Sequence, residues 1–265
     1  MPHSITHDII SQIATRLEEA ELNHKDLPKI TDDFPDLTMA DATAVNWEIR
    51  RRKLARGHKA IGMKMGFTSN AMRAQMGVSS PTYGTLYDHY RFENGATISF
   101  SELIHPRIEP ELSFITHSEL SGPDLSITDV LNATEAIVPS IEIVDSRFID
   151  YKFDMVSNQA DNSSSARFIV GPQQFSPDII DAQAVTCQLE RNGEIIDHGS
   201  GAEVMEHPAA SVACLVAMLD EVGKTLPAGS FVMTGGMTRA AASAPGDHFV
   251  ARFSGMGDVH FHFSQ

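Results

Sequence analysis

The sequence predicts an α+β protein in which a helical N-terminal segment, residues 1–58, precedes a β-rich mixed domain, residues 59–265. Two observations predict this fold class. In the first part of the chain, apolar residues recur at helical spacing. From Ala60 onward, short apolar runs are separated by glycine, proline and polar residues, which is typical of strands and turns.

The N-terminal segment is predicted to hold two helices. The apolar residues with helical spacing in the first helix are Ile5, Ile9, Ile10, Ile13, Leu17 and Ala20. Thr38 and Asp41 have the spacing of a capping box, so they predict a second helix, which ends near Gly57. We interpret its basic run "RRRK", residues 50–53, as a solvated helix face, because a phosphate site is out of keeping with an acidic protein.

The β-rich part is predicted to alternate strands with two more helices. Residues 126–138 begin with a capping box and read as a helix, and residues 207–223 read as another. Strands are predicted at "AIGMKMGF", "HPRIEPELSFI", "SIEIVDSR", "SFVMTGG", "HFVARFSG" and "DVHFHFS", with "GMG" joining the last two in a hairpin. Pro110 cannot donate to a strand ladder, so its strand is expected at an edge or in an irregular pairing.

Charge and cysteine content limit the classes of function. Lys and Arg number 20 against 35 Asp and Glu, a net charge of −15. A surface this acidic repels phosphate backbones, which argues against a nucleic-acid partner. Cys187 and Cys214 lie in apolar runs and are expected to be reduced core thiols. No signal peptide or apolar run of about 20 residues stands out, so we expect a cytoplasmic, soluble protein without a membrane partner.

Two carboxylates stand one residue apart in an apolar strand. Residues i and i+2 of a strand face the same side, so Glu109 and Glu111 project together, about 7 Å apart at their Cα atoms. Glu142 lies between two isoleucines on another predicted strand. Three carboxylates suit Mg²⁺ or Mn²⁺. The alternative is an exposed strand face on which the two glutamates pair with Arg107 or Lys64, and the pattern alone leaves both interpretations open.

Other segments carry weaker signals for chemistry. Lys64 lies between methionines in a strand, where burial can lower its pKa and fit it for proton transfer or for binding a carboxylate; the alternative is a lysine that extends to solvent. Asp88 follows a tight turn. The polar run "ADNSSSARF", residues 160–168, is either an ordinary loop or a set of hydrogen-bonding groups over a pocket, and "MTGGM", residues 233–237, can bring backbone amides close to an anion.

The histidines do not form a recognisable zinc motif. His260 and His262 share one side of a predicted strand, but the alternating apolar residues around them supply its core face. We therefore expect both to face solvent or a subunit partner.

Taken together, these segments resemble the hydratase/decarboxylase branch of the fumarylacetoacetate hydrolase superfamily over nearly the whole chain. The segments that carry the resemblance are "GMKMGFTSNAMRAQMGVSSPTYGTL", "HPRIEPELSFI", "VPSIEIVDSR", "QADNSSSARFIVG", "GSGAEVMEHPAASVACL" and "AGSFVMTGGMT". The resemblance implies that Glu109, Glu111 and Glu142 hold Mg²⁺ or Mn²⁺. It also implies that Lys64 is an active-site lysine and that Asp88 is a nearby acid.

The resemblance implies a lyase acting on a small 2-oxo acid or dicarboxylate from the degradation of aromatic compounds. Decarboxylation of 2-oxo-3-hexenedioate is favoured over hydration of a 2-hydroxydienoate, because several segments look closer to the decarboxylases. The substrate-binding residues expected are Asp161, Ser163, Arg167 and Thr234. We expect Arg167 to lie near the distal carboxylate or to orient the loop that meets it; the alternative is a surface arginine.

Three other interpretations are weighed. The chain could be a hydratase, or a catalytically silent scaffold for a companion hydratase, although the intact carboxylates and Lys64 argue against a scaffold. A carbon–carbon hydrolase of the same superfamily usually has an N-terminal histidine–glutamate motif, which we do not find. The superfamily generally forms dimers or larger assemblies, so a homo-oligomer is expected, with a companion hydratase as a further candidate partner.

Overall fold

The structure is a computed structural model that describes residues 5–69 and 80–265. Helices dominate the N-terminal part and two β-sheets form the rest, so the predicted α+β class is confirmed. The N-terminal helices are α1 (His7–Leu22), α2 (Ile30–Asp33) and α3 (Met39–Ala55). The predicted capping box is present at the start of α3, where the Thr38 side chain accepts from the Asp41 N–H.

The basic run of α3 is not the solvated face that the sequence suggested. Arg51 is exposed, but Lys53 is buried, and its Nζ lies 2.6 Å from Glu21 Oε1 on α1. Arg52 lies 2.8 Å from Glu48. Acidic partners on α1 and α3 therefore allow part of this basic run to turn inward.

The larger sheet has eight strands in the order β2-β1-β10-β5-β6-β7-β3, with β11 also paired to β5. Its strands are β1 (Ala60–Gly66), β2 (Thr82–Tyr87), β3 (Arg91–Glu93), β5 (Arg107–Thr116), β6 (Thr134–Val144), β7 (Ser165–Val170), β10 (Phe231–Met233) and β11 (Ala241–Ala242). Pro110 lies in this sheet on the central strand β5, not at an edge. On this side of β5, strand β11 pairs with residues before Pro110 and strand β10 pairs with residues after it. Within the part of the chain that the structure describes, Pro110 therefore has no strand partner there, and its carbonyl accepts from Met237 N–H.

The smaller sheet has five strands in the order β4-β13-β12-β8-β9. Its strands are β4 (Thr97–Ile98), β8 (Thr186–Arg191), β9 (Glu194–Ser200), β12 (His248–Phe253) and β13 (Gly257–Phe263). The predicted hairpin between β12 and β13 is confirmed. His262 is exposed on it, as expected, whereas His260 is half-buried.

Each face of the larger sheet has its own core. One face packs on the smaller sheet around residues such as Ile108, Ile141 and Phe261, and Cys187 is buried in this core. The opposite face carries Val138, Phe168, Phe231 and Met233. A third core joins the N-terminal helices to Phe148 and Ala160, so that part packs against segments from later in the chain.

The helix predicted over residues 126–138 is shorter than expected. Helix α4 covers Ile127–Asn132, and β6 begins at Thr134. The capping box of Ser126 and Asp129 is present. The residues after it, "AIV", pair with β5 instead of continuing the helix, because tertiary pairing outweighs a local helical pattern.

The remaining helices are α5 (Met155–Ala160) and α6 (Pro208–Asp220). The stretch Gly201–Asp220, which includes α6, is long and apolar enough to cross a membrane by length and composition, with a mean hydropathy of 1.3. This differs from the sequence-based expectation. However, only thirteen of its residues are α-helix, and Val212, Leu215 and Val216 are buried in the main core. We therefore interpret α6 as a core helix.

Candidate active site and metal centre

Three glutamates converge on one face of the larger sheet. Glu109 and Glu111 lie on β5, and Glu142 lies opposite Glu109 on β6. One carboxylate oxygen from each residue lies within 4.8 Å of the other two. Glu111 and Glu142 are completely buried, whereas Glu109 remains partly exposed. Strand alternation brings these residues together as the sequence predicted.

Burial raises the pKa values of all three carboxyl groups, and repulsion by neighbouring carboxylates adds to it at Glu109 and Glu111. Burial raises the pKa of Glu109 to about 7, although Lys64 opposes the change. Burial, followed by the charges of Glu142 and Glu109, raises the pKa of Glu111 well above its ordinary value. Burial also raises the pKa of Glu142, against the effect of Lys64. The cluster therefore carries more negative charge than its surroundings neutralise.

Among the described residues, Lys64 is the cation that contacts this cluster directly. It is buried on β1, its Nζ lies 3.1 Å from Glu142 Oε2, and it donates to the Ser163 carbonyl at 3.0 Å. Burial acts to lower the pKa of Lys64, but the nearby glutamates outweigh burial and the pKa is raised. The lowered pKa considered from the sequence is therefore not found, and Lys64 is an ammonium ion at neutral pH.

A left-handed turn brings Ser163 to Lys64. Asn162, Ser163 and Ser164 have φ values of 52°, 51° and 58°, which non-glycine residues adopt at an energetic cost. The Asn162 side chain accepts from Thr85 N–H at 2.7 Å and donates to the Thr85 carbonyl at 3.0 Å, which ties the turn to β2. The sequence run "DNSSS" signalled polar groups but not this conformation.

Asp161 precedes this turn and pairs with Arg147. Arg147 Nε lies 2.5 Å from Asp161 Oδ1, and both side chains are buried. The Arg147 guanidinium also donates to the carbonyls of Asp145, Asp161 and Ser165. Sequence reasoning missed Arg147, which holds the Asp161 carboxylate in place, and the substrate contact of Asp161 stays a prediction.

Thr234 and Gly235 support the carboxylate cluster from the end of β10. Thr234 Oγ1 donates to the Leu112 carbonyl at 2.7 Å, so its hydroxyl helps to hold β5, and its substrate contact stays a prediction. Gly235 N–H donates to Glu111 Oε2 at 2.8 Å. The sequence predicted that "MTGGM" can bring a backbone amide close to an anion, and the anion that Gly235 N–H contacts is the Glu111 carboxylate.

The structure does not bring Asp88 or Arg167 to the cluster. Lys64 pairs with Gly84, and Asp88 lies four residues further along, about 13 Å away at a rise of about 3.3 Å per residue. Arg167 pairs with Ile143, so its side chain leaves the sheet on the face opposite Glu142. Its Nη2 lies 3.7 Å from Glu102. Neither residue lies beside the three glutamates, and their roles in the reaction stay predictions.

Sequence reasoning treated Arg107 only as a possible charge partner. Arg107 is two residues before Glu109 on β5, so both face the same side. Its guanidinium carbon lies 3.9 Å from the centroid of the Tyr151 ring, and its charge acts to lower the pKa of Glu109. Arg107 therefore supplies positive charge at the edge of the cluster.

The donor set of the cluster fits a hard divalent cation. Glu111 Oε1 and Glu142 Oε1 are buried oxygens that accept no hydrogen bond. Buried carboxylate oxygens without donors are costly unless a cation fills the space between them. Oxygen ligands of this kind suit Mg²⁺ and Mn²⁺.

Comparison with known proteins agrees with this geometry. Residues 59–264 match the family described as fumarylacetoacetate (FAA) hydrolase, C-terminal. The chain is 48% identical to the 4-oxalocrotonate decarboxylase of Pseudomonas sp. (strain CF600), over 99% of this chain and 100% of that protein. It is 35% identical to the 2-hydroxyhexa-2,4-dienoate hydratase of Comamonas testosteroni, over 94% and 96% of the two chains. The chain belongs to the fumarylacetoacetate hydrolase family.

A solved structure shares the whole fold. It is the 4-oxalocrotonate decarboxylase from Pseudomonas putida G7 complexed with magnesium and adipate, with a TM-score of 0.97 and 45% sequence identity. The similarity covers 99% of this chain and 100% of that one. Part of the sequence that carried the initial resemblance, residues 70–79, lies outside the described residues.

Proposed function

We propose that this protein catalyses the metal-dependent decarboxylation of 2-oxo-3-hexenedioate to 2-hydroxypenta-2,4-dienoate. The observation that carries the proposal is the buried cluster of Glu109, Glu111 and Glu142 with the Lys64 ammonium 3.1 Å from Glu142. The full-length similarity to 4-oxalocrotonate decarboxylases supports it, at 48% and 43% identity.

In this proposal, the three glutamates hold Mg²⁺ or Mn²⁺. When bound, such an ion would supply Lewis-acid chemistry to the 2-oxo acid. Gly235 N–H and Lys64 fix the orientation of Glu111 and Glu142, so the ligands are positioned before substrate arrives.

The reaction moves negative charge toward Lys64. When the C5–C6 bond breaks, CO₂ leaves, and the electron pair forms the C4–C5 double bond. The former C3–C4 double bond moves to C2–C3, and the charge reaches the C2 oxygen. The buried Lys64 ammonium stabilises that oxygen electrostatically, and uptake of one proton from solvent gives the dienol product.

Two substrates and one lysine variant test the proposal. Purified protein with Mg²⁺ should release CO₂ from 2-oxo-3-hexenedioate, and EDTA should abolish turnover until Mg²⁺ or Mn²⁺ is restored. Lys64→Met should lower kcat by at least about 100-fold, a typical loss for an electrostatic contact in the transition state. Lys152→Met is the matched control, because the Lys152 side chain is 80% exposed. Full activity in metal-free protein contradicts the proposal.

Hydration of a 2-hydroxydienoate is the second candidate. Hydratases at 35% and 36% identity support it. Hydration requires an acid and a base to add a proton and water, and Asp88, the acid suggested by the sequence, lies about 13 Å from Lys64. Conversion of 2-hydroxypentadienoate without CO₂ release from the dicarboxylate would favour this alternative. Loss of both activities would favour a scaffold.

We further infer that the protein works in the cytoplasm as a homo-oligomer and associates with a companion hydratase. The dienol product of the proposed reaction is a substrate for such a hydratase, so association would shorten its path. Size-exclusion chromatography with light scattering, with and without the hydratase, measures both assemblies. A monomeric mass, or separate elution of the two enzymes, contradicts the respective inference.

A further inference from the structure

A second group of ligand side chains lies away from the carboxylate cluster. His58 precedes β1, and Asp88 and His89 follow β2. One ligand atom from each of the three lies within 4.8 Å of the others. The ring centroids of His58 and His89 are 4.0 Å apart, with an angle of 34° between the ring planes. The proposed reaction does not use any of the three.

Backbone hydrogen bonds fix the positions from which these side chains extend. Asp88 N–H donates to the Lys59 carbonyl at 2.9 Å, and Lys59 N–H donates back to Asp88 Oδ1 at 3.1 Å. Asp88 Oδ1 also accepts from His89 N–H at 3.0 Å. His58 N–H donates to the Lys53 carbonyl at the end of α3. The group therefore sits where α3, β1 and β2 meet, on an ordered backbone.

The charges around the group permit a cation. Asp88 Oδ1 lies 3.5 Å from His89 Nδ1. An imidazole offers a ring nitrogen to an ion, and the Asp88 carboxylate adds a negative charge beside it. Lys53 is the neighbouring positive charge, but its Nζ is paired with Glu21 at 2.6 Å.

We propose that His58, Asp88 and His89 form a second metal site, which takes one divalent ion of the zinc, nickel or copper class. Two imidazoles and one carboxylate match the preferences of these ions, whereas the all-oxygen cluster suits Mg²⁺. Two ligand atoms on one zinc ion are at most about 4.2 Å apart at bond lengths of about 2.1 Å. Small rotations of the exposed Asp88 and His89 side chains would bring the ligand atoms from within 4.8 Å to within this distance.

Occupancy of this site would link the end of α3 to both strands. The site is about 13 Å along β2 from the level of Lys64, so its ion does not take part in the proposed reaction. Its expected effect is to stabilise the junction between the helical part and the larger sheet, because an ion that binds the folded chain alone shifts the folding equilibrium.

Calorimetric titration with Zn²⁺, at saturating Mg²⁺, measures the affinity and stoichiometry of Zn²⁺ binding at the second site. The unmodified protein should bind one Zn²⁺ per chain in addition to Mg²⁺. The double variant His58→Ala/His89→Ala should bind it about tenfold or more weakly, and Asp88→Asn should also weaken it. The midpoint temperature of thermal unfolding should rise with Zn²⁺ in the unmodified protein and should stay the same in the double variant.

Copper and a matched histidine variant identify the ligands. Electron paramagnetic resonance of bound Cu²⁺ should show nitrogen couplings, which the carboxylate cluster cannot give, and the double variant should lose them. His262→Ala is the control, because His262 is an exposed histidine near His248 on the smaller sheet. Unchanged Zn²⁺ binding in the double variant, or nitrogen couplings lost in His262→Ala instead, overturns the proposal.

Discussion

Removing the divalent ion should make the stability of the folded protein fall as pH rises from 5 to 8. Without the ion, Lys64 contacts one of the three glutamates directly, with its Nζ 3.1 Å from Glu142 Oε2. The pKa of Glu109 is raised to about 7. A group whose pKa is higher in the folded than in the unfolded chain stabilises the fold fully below its unfolded pKa. That stabilisation is lost as pH rises through the folded pKa.

The expected decrease in the free energy of unfolding follows from the pKa change of Glu109. Its ordinary value is 4.5 and its folded value is about 7. Each pH unit of difference corresponds to about 1.4 kcal/mol, so the full contribution is about 3 kcal/mol. Most of it disappears between pH 5 and pH 8, and the partial exposure of Glu109 reduces it further. We therefore expect Glu109 to account for a decrease of about 2 kcal/mol in the free energy of unfolding.

Urea unfolding at pH 5, 6, 7 and 8 measures this decrease in EDTA and in saturating Mg²⁺. The decrease should be present in EDTA and much smaller with Mg²⁺, because an ion that binds the ionised carboxylates stabilises the folded state at high pH. Glu109→Gln removes the titrating group, so its curve in EDTA should be flatter by about 2 kcal/mol. Equal slopes for the unmodified protein and Glu109→Gln would refute the reasoning.

Three further predictions concern residues that support the fold or the cluster. Arg147→Met leaves Asp161 buried without its partner and should cost about 3–5 kcal/mol in urea unfolding, and Arg147→Met/Asp161→Asn should recover part of that loss. Gly235→Ala places a side chain at φ 108° and disturbs the N–H that donates to Glu111, so calorimetry should show weaker Mg²⁺ binding. Thr38→Ala removes the cap of α3 and should lower stability by about 1 kcal/mol, with kcat unchanged.

Local signals predicted much of the fold because they act over a few residues. The capping boxes at Thr38 and Ser126 place the starts of α3 and α4. The end of α4 was predicted too late, because the residues that follow have both helical and strand character and β5 decides between them. The position of Pro110 in a central strand was also not predictable, since it depends on where β10 and β11 end along β5.

The carboxylates were predictable because the period of a strand fixes which residues share a face. Residues that depend on distant segments were not. Ser163 reaches Lys64 through three left-handed residues, none of which is glycine. Arg147 pairs with a residue fourteen positions away, and "VDSR" gives no sign of that pairing. Asp88 was expected as a nearby acid and Arg167 near a distal carboxylate; the strand register places neither beside the glutamates, and both roles stay predictions.

The charge balance of the centre explains why one family holds both decarboxylases and hydratases. With all three carboxyl groups ionised, the glutamates and the Lys64 ammonium would carry a net charge of −2, which a bound divalent ion would neutralise. Such a centre can accept negative charge from a 2-oxo acid whether the electrons come from a departing carboxylate or from proton transfer. Substitutions of these glutamates should therefore abolish either reaction equally. The choice between the reactions must depend on groups that meet the far end of the substrate. Assays with the two substrates therefore distinguish a decarboxylase from a hydratase, whereas variants of the three glutamates do not.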